Sequence, residues 1–360
     1  MVYPLVPFFL TAVLGASPAV LGLIEGLAES VARLLKVFSG WISDRIGKRK
    51  GLTIARYAGG ALGKLLLAFA AGWGMVLAAR VVDRLGKGIR TAPRDALIAD
   101  SAADHRRGRA FGLHRAMDTA GAALGVVLAY YFFTRMPGDY ASVFLLALVP
   151  AAAGVLMLLA VREPRHAAPP AAPPRLRWSG LPRKLQVFLL IALLFTLGNS
   201  SNTFLLLRAK GLGFSAADAI LLYLAYNVSY ALCSYPVGRL SDHIGRKALL
   251  VAGYAFYGVV YLGFALLEAA GEAWMVWALF VLYGLYSGFT EGVEKAMVSD
   301  LAPREVRATA IGLHATLVGI GLFPASFIAG QLWTLLGPAS TFYFGGGMGL
   351  LAALGLLLVL

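Results

Sequence analysis

Charged residues are scarce in this chain of 360 residues: 14% are Asp, Glu, Lys or Arg, against ~25% in a typical soluble domain. With 59% apolar residues and a mean hydropathy of +0.75, a soluble fold is excluded and an integral membrane protein is expected. Cysteine is nearly missing. Cys233 is the only one, so no intramolecular disulfide can form, and its apolar surroundings read as those of a small core residue. A phosphate-binding loop is also missing, because LGKGIRT, from Leu85, lacks the first glycine of that motif, which leaves ATP-driven chemistry without support. No nucleophile with its base and no metal-spaced His/Cys cluster stands in the apolar segments, so neither an enzyme nor a metal or cofactor is expected. A basic leader with a small-residue cleavage site is lacking as well, and no cleavable signal is expected.

What the chain has instead is apolar runs of roughly 20 residues. They place spans at 3–14, 17–43, 52–71, 74–98, 109–134, 140–161, 185–207, 216–238, 249–268, 273–299, 306–334 and 339–360. Between the sixth and seventh lies REPRHAAPPAAPPRLRWSGLPRK, Arg162 to Lys184, whose proline and arginine content predicts an extended, solvated tether. Residues 1–161 and 185–360 are therefore expected to form two six-helix bundles joined by a linker at 162–184.

The formal net charge of +14 does not mark a nucleic-acid face, because the cations sit in alternate loops. Arg45, Lys48, Arg49 and Lys50, then Arg106, Arg107 and Arg109, the linker arginines, Arg239, Arg246 and Lys247, and Arg304 with Arg307 share one side. The opposite loops hold Arg135, Arg208 and Lys210. The asymmetry predicts a multi-pass protein of the cell inner (plasma) membrane with both termini in the cytoplasm. The first span is short: Met1 to Leu14 covers ~21 Å of a ~30 Å hydrocarbon core. Charge parity still requires a crossing there, so an incomplete or misassigned start is expected.

The chain also repeats itself. GWISDRIGKRKGL from Gly40 matches GRLSDHIGRKALL from Gly238, an offset of 198 residues. RDALIADSAADHRRGRAFGLH from Arg94 matches EKAMVSDLAPREVRATAIGLH from Glu294, an offset of 200. The halves read as parallel copies. The G-x-x-S-D-x-x-G-[KR]-[KR] loop, present in both halves of a 6 + 6 chain, resembles the signature loop of the major facilitator superfamily. The resemblance implies an all-α polytopic membrane protein, two six-helix bundles related by pseudo-two-fold symmetry, that works as a secondary transporter. His243 stands in the second copy where the first has Arg45.

In physical terms, Gly47 and Gly245 permit a sharp turn, the adjacent cations hold the loop at an anionic leaflet, and Asp44 and Asp242 can cap a helix or pair with an arginine. In similar transporters such residues bias the inward- and outward-open states, so Asp44, Arg45, Gly47, Asp242 and Gly245 are gate candidates; a plain topogenic loop is the alternative. DRLGKGIRTAPRDALIAD, residues 83–100, raises a second question of charge. At 100° per residue, Arg80, Asp83, Arg84, Lys87, Thr91, Arg94 and Asp95 fall within an arc of ~120°, and a charged stripe must face protein or water.

The resemblance implies that spans 1, 4, 7 and 10 line a cavity, flanked by 2, 5, 8 and 11. Polar stripes match: Glu25, Glu29, Arg33 and Lys36 on span 2, Arg115 and Asp118 on span 5, Asn199, Ser200 and Asn202 on span 7, Tyr223, Tyr226, Asn227 and Tyr230 on span 8, and Tyr283, Ser287, Thr290, Glu291 and Glu294 on span 10. Substrate contacts are expected from Asp83, Arg84, Lys87, Arg115, Asn199, Asn202, Tyr226, Asn227, Tyr283 and Glu291, with an anionic group of the solute facing Arg84 or Lys87. Glu25 and Glu291, with the fewest cations nearby in sequence, are the expected proton carriers.

Arg94-Asp95 aligns with Glu294-Lys295 with the charges reversed. A reciprocal ion-pair lock is one reading and satisfaction within each half the other; Asp100 and Asp300 join these as gate candidates. His114 and His314 occupy equivalent positions and read as inherited packing. The glycines of GGGMG, Gly345 to Gly349, predict close helix contact. Together these features predict a monomeric transporter in the lipid bilayer that moves a small organic solute by alternating access with a proton. Efflux of amphipathic compounds and transport of an organic anion both fit; a passive uniporter and a lipid-handling membrane protein or enzyme are the alternatives.

Overall fold

A computed structural model describes residues 1–46, 49–101, 107–160, 178–267, 273–303 and 307–360. Side chains are described except at 36–57, 88–116, 119–120, 158, 160, 179, 234–235, 238–243, 291 and 307–309. Among the described residues there is no strand, and twelve helical spans follow one another. They are α1 (Tyr3–Val13), α2 (Pro18–Ile46), α3 (Arg49–Ala68), α4 (Trp73–Ser101), α5 (Arg107–Arg135), α6 (Tyr140–Leu146 continued by Leu148–Ala160), α7a (Arg183–Gly198), α7b (Thr203–Gly211), α8 (Ala216–Ile244), α9 (Arg246–Leu266), α10 (Ala273–Leu301), α11 (Arg307–Leu336) and α12 (Pro338–Val359). Seven of these spans, among the described residues, are long and apolar enough to cross a bilayer. The protein is a polytopic helical membrane protein.

Contacts divide the chain into two compact units, Met1–Ala16 with Leu27–Ala172, and Ser17–Gly26 with Pro173–Leu360. The first ten residues of that division, Ser17–Gly26, hold the N-terminal turns of α2 against the second unit.

In the first unit α3 and α4 pack closely because α3 presents glycine. A Cβ on Gly63 would lie 2.9 Å from the Ala79 carbonyl oxygen and 3.2 Å from the Asp83 Cβ. Lipid tails are as apolar as leucine, so such close fit and its dispersion contacts, rather than hydrophobic burial, hold membrane helices together. An aromatic group fills the space under α1: Phe9 meets Phe144 edge-on at 5.4 Å, and Phe133 lies 5.1 Å from Tyr140.

In the second unit α9 packs on α12 in the same way. Cβ atoms on Gly345 and Gly349 would lie 2.7 and 2.6 Å from the rings of Tyr261 and Tyr257, so the GGGMG segment is a bed for two tyrosines. The turn between α8 and α9 falls on Gly245, with φ +87° and ψ 142°, a conformation that costs a residue with a Cβ roughly 1–3 kcal/mol. This agrees with the helix-ending role expected of that glycine; Gly47 lies outside the described residues.

One expectation fails. The seventh span is not a single helix: α7a stops at Gly198 and α7b starts at Thr203. Asn199, Ser200, Ser201 and Asn202 stand in succession there, and each of these side chains offers the backbone local hydrogen bonds that compete with helix.

Candidate functional site

The break in the seventh span leaves backbone groups that the membrane interior cannot solvate, and the second unit satisfies them with side chains. The Tyr257 hydroxyl donates to the Gly198 carbonyl oxygen at 2.8 Å. The amide of Ser201 donates to Ser326 Oγ at 3.2 Å. The two asparagines are held by α10: Asn199 Nδ2 donates to the Tyr286 hydroxyl at 2.9 Å, and the Tyr283 hydroxyl donates to Asn202 Oδ1 at 2.8 Å.

Tyr283 is buried and sits 5.4 Å from Tyr226 of α8, whose ring also stacks on Tyr230. Asn227 is turned to its own helix, donating to the Tyr223 carbonyl oxygen at 2.6 Å. Of the polar residues expected on spans 7, 8 and 10, Asn199, Asn202, Tyr226 and Tyr283 therefore converge, and Asn227 stands beside them. Tyr257, Tyr261 and Tyr286 complete the group; sequence reading missed them because a tyrosine every three or four residues on an apolar helix reads as core.

Glu25, on the part of α2 that packs with this unit, is fully buried and accepts from Ser201 Oγ at 3.4 Å. Its link to the helix break is a contact that the spacing alone did not contain. The side chain of Glu291 lies outside the described residues.

The first unit holds the charged cluster. Arg84, buried on α4, pairs with Glu29 of α2 at 2.8 Å. Its guanidinium and that of Arg80, one turn earlier and also buried, lie 5.9 and 5.4 Å from the ring centroid of Tyr3. Arg84 Nε is buried and makes no hydrogen bond. Asp83 faces α3 instead: its Oδ1 lies 3.3 Å, and Lys64 Nζ 3.8 Å, from where a Cβ on Gly60 would stand. The Lys87 side chain is exposed. Arg84 is thus the buried member of the expected trio, with Arg80, Glu29 and Tyr3 as its companions, and Lys87 lies within electrostatic reach of Arg84, Glu29 and Asp83. A helix wheel shows that Arg80 and Arg84 share a face, but only folding supplies Tyr3.

Of the remaining candidates, Asp300, exposed near the end of α10, pairs with Arg246 of α9. Arg246 also donates to the Ala296 carbonyl oxygen at 2.7 Å. Glu294 accepts from the Tyr254 hydroxyl at 2.9 Å and faces His314 at 3.5 Å; Lys295 is exposed. The side chains of Asp44, Arg45, Arg94, Asp95, Asp100, Arg115 and Asp242 lie outside the described residues.

A helical membrane protein with an interrupted, polar span and buried charge is built like a transporter. The family model of the Major Facilitator Superfamily matches residues 1–207 and again 187–360, and the chain belongs to that superfamily. It is 38% identical over 365 residues to an uncharacterized MFS-type transporter of Methanocaldococcus jannaschii, covering 100% of this chain and 90% of that one. The multidrug resistance protein MdtH of Photorhabdus laumondii is 32% identical over 153 residues, 41% of this chain and 38% of that protein. Two solved structures share the fold. They are the nucleoside transporter NupG (TM-score 0.77, 14% identity, 98% of this chain and 93% of that one) and a D-xylose-proton symporter (TM-score 0.74, 19% identity, 99% and 91%). The protein is accordingly an MFS transporter of the membrane.

Proposed function

We propose that this transporter moves a small organic solute bearing an anionic group, by alternating access and with a proton. The observation that carries the reading is Arg84: a buried guanidinium whose Nε makes no hydrogen bond while Glu29 engages its Nη2. A buried donor without a partner is costly, and a carboxylate or phosphate of the solute is the group that satisfies it with a charge-assisted bond. Glu29 acts as the internal counter-ion when no solute is bound. Asp83, Lys87 and Arg115 set the local field in the same unit. The second unit, taken by itself, gathers Asn199, Asn202, Tyr226, Asn227 and Tyr283, whose hydrogen-bonding groups and ring faces suit uncharged polar or aromatic parts of solutes, with Glu291 on the helix of Tyr283.

Proton coupling is assigned to Glu25 and Glu291, and gating to the repeated loops and their flanks: Asp44, Arg45, Gly47, Asp242, Gly245, Arg94, Asp95, Glu294, Lys295, Asp100 and Asp300. Both termini face the cytoplasm, the membrane is the cell's inner one, and the protein works as a monomer, without enzymatic chemistry. Efflux of amphipathic compounds is a second reading, favoured by the tyrosine group and by the partial similarity to MdtH.

The test is a solute screen by thermal stabilisation of the purified protein, since a ligand that binds only the native state raises its melting point. Flux of the hits in vesicles with and without a pH gradient follows. Organic anions should stabilise wild type and lose that effect in Arg84→Gln. Stabilisation by neutral or cationic amphiphiles, unchanged in Arg84→Gln, would favour the second reading.

A further inference from the structure

A third polar cluster lies in the second unit, away from the helix break. Glu294 of α10 is largely buried, with its side chain 16% exposed. Tyr254 of α9 donates to Oε1 at 2.9 Å, and Nε2 of His314, on α11, lies 3.5 Å from Oε2. The imidazole is itself buried and stacked on Phe188 of α7a, at 6.3 Å between ring centroids. Its Nε2 makes no hydrogen bond. Glu294 lies seven residues before the end of α10, His314 seven after the start of α11 and Tyr254 eight after the start of α9. At 1.5 Å per residue, all three stand ~10–12 Å from the helix ends, at one depth.

Other charged groups on the surrounding helices are engaged or turned outward. On α9, Arg246 pairs with Asp300 of α10, and Lys247 donates to the Leu357 carbonyl oxygen at 3.2 Å. Lys295 is exposed, as are Arg183 and Lys184 at the start of α7a. Tyr286, two turns before Glu294 on α10, receives the hydrogen bond of Asn199. Tyr343 of α12 is exposed. The side chains of Glu291 and Arg307 lie outside the described residues. Among the described residues, His314 is thus the group able to bring positive charge to Glu294.

A lone carboxylate held among apolar helices costs several kcal/mol. One hydrogen bond from a phenol reduces that cost without removing the charge. A single added proton removes it, whether the pair is written as carboxylic acid beside neutral imidazole or as carboxylate beside imidazolium.

We propose that Glu294 and His314 form a proton-binding site, with Tyr254 as its positioning residue. One proton from water is held between Oε2 and Nε2, while the Tyr254 hydroxyl fixes Oε1 and so turns Oε2 toward the imidazole. The bound proton supplies the hydrogen bond that Nε2 lacks, across the 3.5 Å between Nε2 and Oε2, and so ties α10 to α11. The repeat makes the site singular: Glu294 aligns with Arg94 and His314 with His114, so the first half carries a permanent cation where the second carries the carboxylate. Use of this proton in transport rests on the proton-coupled reading above; its binding does not.

The experiment uses the proton itself as probe. Purified full-length protein in phosphatidylethanolamine–phosphatidylglycerol vesicles is stepped from about pH 8 to about pH 5, the range in which imidazole groups change charge. Proton uptake per chain and the infrared difference spectrum are recorded. Glu294→Gln, which keeps an acceptor for Tyr254, should take up about one proton fewer per chain than wild type and alter the imidazole bands of His314. His314→Gln should remove those bands and change the carboxyl region as well, and Tyr254→Phe should shift the carboxyl band while leaving the proton count unchanged. Uptake and spectra of Glu294→Gln and His314→Gln matching wild type would overturn the site. Should Glu294→Gln fail to fold, the carboxyl change in His314→Gln decides alone. If the site binds its proton but a pH gradient drives no solute flux, the coupled-transport reading falls and the site stands. If flux is gradient-driven and both variants behave as wild type, the site falls and the coupling stands.

Discussion

The Cα of Gly22, on the first turns of α2, faces Gly330 of α11 with no side chain between them. A Cβ on Gly330 would lie 3.2 Å from that atom and 3.0 Å from the Cα of Ala19. A Cβ on Gly22 would in turn run into the carbonyl oxygen of Ser326. Four residues along α2, a Cβ on Gly26 would lie 2.8 Å from the Phe323 carbonyl oxygen, so the contact continues along the helix.

Backbone atoms cannot step aside as the tip of a flexible side chain can. Gly22→Ala should therefore destabilise the protein by about 1–3 kcal/mol, the usual cost of overpacking, read as a lower melting temperature in detergent. Gly347→Ala, where nothing lies within 4 Å of the added methyl, is the control and should change little. Equal melting temperatures would show that this approach is looser than described.

The Arg84–Glu29 pair predicts a sign as well as a size. Arg84→Ala takes away the ion-pair partner of Glu29, whose side chain is 26% exposed and keeps the charges of Lys87, Arg80 and Arg33 nearby, so the loss should fall below the about 3–5 kcal/mol of a fully buried pair broken from one side. Removing both partners should cost less than removing Arg84 alone. A double-mutant cycle on thermal or denaturant unfolding checks this; additive losses would mean that the two side chains do not support each other.

Tyr283→Phe removes the donor that holds Asn202 at the end of the helix break. Asn202 is half-buried, so losing that bond should cost about 0.5–1.5 kcal/mol, the net worth of an ordinary hydrogen bond. Tyr343→Phe, at an exposed tyrosine of α12, should cost less. Hydrogen exchange at Ser201 and Asn202 would register the difference as faster exchange in the Tyr283 variant alone.

Asp139 caps the start of α6, accepting from the Ser142 amide at 3.0 Å. Hydrogen bonds from Ser142 hold its carboxyl below the usual carboxylate range. Since the folded group binds its proton less readily than the unfolded one, the cap's stabilisation is present above the unfolded value and is lost as pH falls through the folded one. Acidification should raise amide exchange at Ser142 beyond the intrinsic rate change, and Asp139→Asn should abolish that extra response.

Much of the architecture was legible in one dimension. The lengths of the apolar runs are set by bilayer thickness, and the twelve spans stand close to where those runs put them. Gly345 and Gly349 announced a close contact through their spacing, and Gly245 a turn. The break after Gly198 was not legible. Asn199, Ser200 and Asn202 fit the polar stripe of an intact helix just as well, and the outcome depended on whether another element could take up the released carbonyl. Tyr257, almost sixty positions away, does so.

The sequence by itself determined that the chain is a membrane protein of two repeated halves with the character of the superfamily, because hydropathy, loop charge and internal matches are properties of the order of residues. It also marked Arg84 and Glu29 as charges that must find shelter. Tertiary structure alone decided their partners. It set Arg84 and Arg80 against Tyr3, turned Asp83 toward α3, linked Glu25 to Ser201 and joined Glu294 to His314 and Tyr254. Helical periodicity tells which side chains share a face, whereas the partner opposite that face comes from another helix, chosen by close packing and by the cost of leaving a polar group unpaired away from water.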